Sequence, residues 1–92
     1  MKQAVVMHVR FTEGLSDEDS VTMLNDVVIP RAKALAGFDN GTWVHDSKGH
    51  GMAVVVFDTM ENAAAAQDVL KPPAGVGPEL ISSELFVVGG QA

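Results

Sequence analysis

Residues 49–70, GHGMAVVVFDTMENAAAAQDVL, pass from an unbroken apolar run into an alanine-rich segment within a few positions. Residues 52–57, MAVVVF, are apolar on both faces of an extended chain. That pattern predicts a central strand covered on both sides. Asp58 or Thr59 is placed to cap a helix, with Glu61 three residues after Asp58. Ala63–Ala66, followed by Val69 and Leu70, give that helix short side chains, so it can approach a sheet closely.

Immediately upstream, DNGTWVHD (39–46) reads as a second strand, with Trp43 and His45 on one face and Thr42 and Val44 on the other. SKGHG (47–51) carries two glycines between the two runs and predicts a hairpin loop holding His50. Nearer the amino terminus, QAVVMHVRFT (3–12) alternates imperfectly. Val5, Met7, Val9 and Phe11 form an apolar face, and Ala4, Val6, His8 and Arg10 a mixed one.

Between these strands, residues 16–38 carry helix signals. Ser16 and Asp19 fit a capping box, Val21, Leu24, Val28, Ala32 and Leu35 lie near one face, and Gly37 is a natural terminator. Pro30 removes one backbone donor, so the helix is expected to kink there while its apolar stripe continues. KPPAGVGPE (71–79) reads as a Pro/Gly loop, and ISSELFVV (81–88) as the last strand. The order β-α-β-β-α-β predicts an α+β, ferredoxin-like fold, in which a four-stranded antiparallel sheet carries both helices on one face.

Ninety-two residues with 47% hydrophobic and 20% charged content fit one globular domain spanning 1–92. The absence of cysteine excludes disulfides and thiolate chemistry. A net charge of −6, with six dispersed Lys and Arg, argues against a nucleic-acid partner. The apolar run AVVM near the start is too short for a signal core or membrane span, so a cytoplasmic protein with no membrane partner is expected. With helices on one face only, the two-faced apolarity of residues 52–57 and 85–88 leaves an uncovered apolar sheet. A second copy of the chain is expected to cover it, as a homodimer.

The shapes Ala36-Gly37-Phe38, Gly41-Thr42-Trp43, Val54–Asp58 and Glu61-Asn62-Ala63 resemble small members of the dimeric α/β-barrel superfamily, similar to the antibiotic biosynthesis monooxygenase domain. The likeness spans nearly the whole chain. It implies a dimeric α/β barrel, and it points to a cofactor-independent monooxygenase-like activity on a small aromatic or quinol-like substrate. A noncatalytic ligand-binding dimer, or a structural dimerisation module, is the alternative, because this scaffold hosts many functions. Oxygenases of the family are associated with a pocket tryptophan, an asparagine, and a tyrosine or arginine. This chain offers Trp43 and has no tyrosine.

Strand alternation selects His8, Arg10 and His45 as candidate catalytic residues and Trp43 as the substrate-binding residue. A histidine beside a fixed cation can orient an anionic or phenolate substrate, and an indole beside a histidine supplies stacking and a general base. The expected site is a cavity between sheet and helices or inside the dimeric barrel. His8, His45 and His50 lack metal-ligand spacing, so no metal is expected, and the resemblance implies that no flavin or other cofactor is required.

Overall fold

The computed structural model describes residues 1–11, 21–22, 24–46, 48–71 and 78–92. Strands β1 (Gln3–Arg10), β2 (Phe38–His45), β3 (His50–Phe57) and β4 (Glu79–Val87) form an antiparallel sheet in the order β2-β3-β1-β4. Between β1 and β2 the chain runs through a π-helical turn, Leu24–Val28, into helix α1, Ile29–Lys33. Helix α2, Met60–Val69, joins β3 to β4. This is the expected α+β ferredoxin-like arrangement, with β1 and β3 as the central pair.

The register explains the core. Val5 pairs with Val55 and Met7 with Ala53, and these residues, with Phe57, are buried against Ala63 and Ala66 of α2. Two alanines at the contact let the helix backbone approach the sheet closely. Burying each large side chain contributes roughly 1.5–3 kcal/mol. Gln67 then ties α2 to the edge strand, its Nε2 donating to the Ser83 carbonyl at 2.9 Å and to Ser83 Oγ at 3.0 Å. On the helix-free face, Val44, Met52, Val54 and Phe86 are between 36% and 55% exposed. The two-faced apolarity of MAVVVF is thus divided between a core and an open surface.

Helix α2 begins as anticipated, with Thr59 as its cap: Thr59 Oγ1 accepts from the Asn62 N–H at 3.2 Å. Asp58 instead accepts from Asn62 Nδ2 at 2.8 Å, and its own N–H donates to the Gly37 carbonyl at 2.9 Å. Gly37 has φ +76°, and a Cβ there would collide with the Asp58 and Asn62 side chains. Glycine at 37 is therefore needed for both the turn and the close approach.

Three sequence expectations need correction. The first helix ends at Lys33, short of Gly37, and half-buried Leu35 packs on the core from the turn that follows. The helical path does continue through Pro30, because the π-helical turn widens the backbone where the proline ring would clash with the carbonyl four residues back. Strand β3 starts at His50, two residues early, directly after Gly49 (φ +86°). Strand β4 starts at Glu79, with a register shift between the partners of His8 and Val9. The Ser16–Asp19 capping box and most of the 71–79 loop lie outside the described residues.

Candidate functional site

The sheet divides the four sequence candidates into two pairs. Trp43 and His45 pair with Ala53 and Gly51, so they project on the helix-bearing face. His8 and Arg10 pair with Met52 and His50 and project on the helix-free face. Each pair shares a face, as alternation predicts. No single face of one protomer gathers all four.

On the helix-bearing face, an open cleft of about 530 Å³ lies between the first helical segment and β2. Leu24, Ile29 and Phe38 supply its apolar lining, and Asn25, Lys33, Trp43 and His45 the rest of its chemistry. Trp43 reaches the cleft because of Gly41: a Cβ at 41 would lie 2.7 and 2.8 Å from two indole ring carbons. The glycine lets the indole lie back along its own strand, half-buried against the core and still facing the cleft. Phe38 is braced edge-on against Phe57, with ring centroids 6.2 Å apart at 82°.

Charge in the cleft is one-sided. Its described lining holds Lys33 and His45 and no carboxylate, in a chain with twelve acidic residues against six Lys and Arg. Asp46, the acid that follows His45, is committed elsewhere. It accepts from the backbone N–H of His50 at 2.9 Å and of Lys48 at 2.8 Å. Those two hydrogen bonds hold its carboxyl below the ordinary value of 3.8, and they fix the hairpin turn that carries His45 into β2 and His50 into β3.

Asn25 and Lys33 were not among the sequence candidates. Their signal was present: residues 25, 29 and 33 recur every four positions and therefore share one helical face. Neither residue stands out within its own segment, because the cleft they line is completed by a different element, β2. His50 also changes role, from hairpin tip to strand residue, and its ring stands 5.5 Å from that of His8.

No family model matches the sequence, and no curated protein matches it. Among solved structures, a protein of Chloroflexus aurantiacus J-10-fl, provisionally described as an antibiotic biosynthesis monooxygenase, aligns with a TM-score of 0.63. The alignment covers 100% of this chain and 98% of that one, at 17% identity. The chain therefore has the fold of an antibiotic biosynthesis monooxygenase-like domain.

Proposed function

We propose that this chain is a homodimeric α/β-barrel protein, one domain over residues 1–92, acting as a cofactor-independent monooxygenase on a small aromatic or quinol-like molecule. The cleft carries this reading: an indole wall, apolar sides, and Lys33 with His45 as its only described ionisable lining. A ring stacked on Trp43 gains about 0.5–1.5 kcal/mol beyond its area burial. His45 accepts a proton from the ring CH₂ of the substrate's keto form, and the Lys33 ammonium favours the phenolate oxygen onto which the resulting charge delocalises. The carbanion then gives an electron to O₂, and the radical pair forms the C–O bond. Loss of water leaves a carbonyl, so that CH₂ and O₂ become C=O and H₂O. The substrate supplies the electrons. In this reading His8 and Arg10 lie across the sheet from the reacting carbon and take no part in the step.

The homodimer forms through the helix-free faces. Val44, Met52, Val54 and Phe86 make an apolar surface there that a second copy can cover. Stable association requires total burial of about 1,000 Å² or more.

The test exposes the protein to an anthrone-like or naphthalenediol probe in air, following Trp43 fluorescence and oxygen uptake together. Quenching with one O₂ consumed per product supports the enzyme. Saturable quenching without uptake favours a noncatalytic ligand-binding dimer, and no quenching by any aromatic probe sinks both.

A further inference from the structure

On the helix-free face, His50 stands opposite Arg10, and His8 lies one pleat further along, opposite Met52. The two imidazoles are 5.5 Å apart between centroids and tilted by 37°. From the other side, Ser82 of β4 pairs with His8, and Glu79 pairs with Arg10. Three adjacent strands thus bring a guanidinium, two imidazoles and a hydroxyl to one end of the open sheet.

Among the described residues, no side-chain hydrogen bond or ion pair takes up these donors. The His50 ring is seated with Nδ1 buried and without a hydrogen-bond partner among the described residues. Arg10 forms no ion pair with Glu79, its cross-strand neighbour; the ion pairs among the described residues are Lys2–Asp39 and Lys71–Asp68. Asp46, the acid of the neighbouring turn, directs Oδ1 to the backbone N–H groups of Lys48 and His50. Lys48 adds a further positive charge on that turn. A cation does not suit the cluster, because a guanidinium beside imidazoles repels it, and no group of three His, Asp or Glu among the described residues is arranged to hold a metal.

We infer that Arg10, His8, His50 and Ser82 form a seat for a small oxyanion, a carboxylate or a phosphate, distinct from the Trp43 cleft. The guanidinium presents parallel N–H groups to two oxygens, and the imidazole and hydroxyl donors complete the shell. All four residues come from one protomer.

The experiment titrates the isotopically labelled full chain with sodium phosphate and, separately, with sodium acetate, at constant pH and ionic strength, and reads backbone amide shifts. Saturating shifts confined to the neighbourhood of residues 8–10, 50–52 and 79–82 are expected. Arg10→Gln should weaken the affinity about tenfold or more, the loss expected for one charge-assisted contact. His8→Asn serves as the second variant and is read in place of Arg10→Gln if that protein does not fold. Saturation by phosphate alone assigns a tetrahedral anion, by acetate alone a planar one, and by both a general oxyanion seat. The inference is overturned if neither salt saturates, or if binding survives unchanged in the folded variants. Shifts centred on Lys33 and Trp43 overturn it too, and leave the cleft reading standing.

Discussion

Gly41 shows how one missing methyl group shapes the candidate site. A Cβ there would meet the indole at 2.7 Å, so Gly41→Ala must turn Trp43 out of its place. The expected cost is about 1–3 kcal/mol, as for other overpacked sites. A shift in the emission of Trp43, the single tryptophan, and weaker binding of aromatic probes should accompany it. Asp46 gives a second residue-scale prediction. Backbone hydrogen bonds from His50 and then Lys48 lower its folded-state pKa below 3.8. Its contribution is therefore present above the unfolded-state value and lost as pH falls through the folded one. Asp46→Ala should lower Tm at neutral pH, and the difference from wild type should close in acid below the ordinary carboxylate range. Thermal melts across that range check it; a gap that persists undiminished in strong acid contradicts the assignment.

At the scale of elements, α2 owes its position to Ala63 and Ala66, buried against Val5, Val55 and Phe57. Ala66→Leu should lift the helix from the sheet and destabilise the fold by about 1–3 kcal/mol in chemical denaturation. The segment before Pro30 behaves differently, because its π-helical turn sets the phase of Asn25 relative to Lys33 across the cleft. Pro30→Ala restores a backbone donor and permits an ordinary helix. Conversion from π to α geometry would rotate the earlier residues by about 100° relative to α1. Stability should hold or rise while affinity for an aromatic probe falls, a combination that simple unfolding cannot produce. Unchanged affinity would mean the π-helical turn does not shape the site.

Across the whole molecule, the two faces of β3 make opposite demands. Val55 is fully buried in the core, whereas Val54, the residue before it, lies on the open face at 36% exposure. Val55→Glu places an unpaired charge in the core and should unfold the protein. Val54→Glu should leave a folded chain that is monomeric, because the charge would be buried only in the proposed dimer. Circular dichroism with light scattering separates the two outcomes. A Val54→Glu variant that remains dimeric would remove the open face as the interface.

The sequence by itself determined the order of elements, the central position of residues 52–57, the α2 cap region, and the pairwise sharing of faces by His8 with Arg10 and Trp43 with His45. Each follows from local rules of alternation, periodicity and capping that operate within a few residues. Which face the helices cover was settled only by the folded register, which places Ala53 and Val55 in the core and, with them, Trp43 and His45 on the helix side. The same register separates those two residues from His8 and Arg10, and joins His8 to His50 across β1 and β3. Lys33 and Asn25 belong to the cleft for a similar reason. A pocket between two elements is a property of how they pack, and no stretch of chain shorter than the distance between them records it.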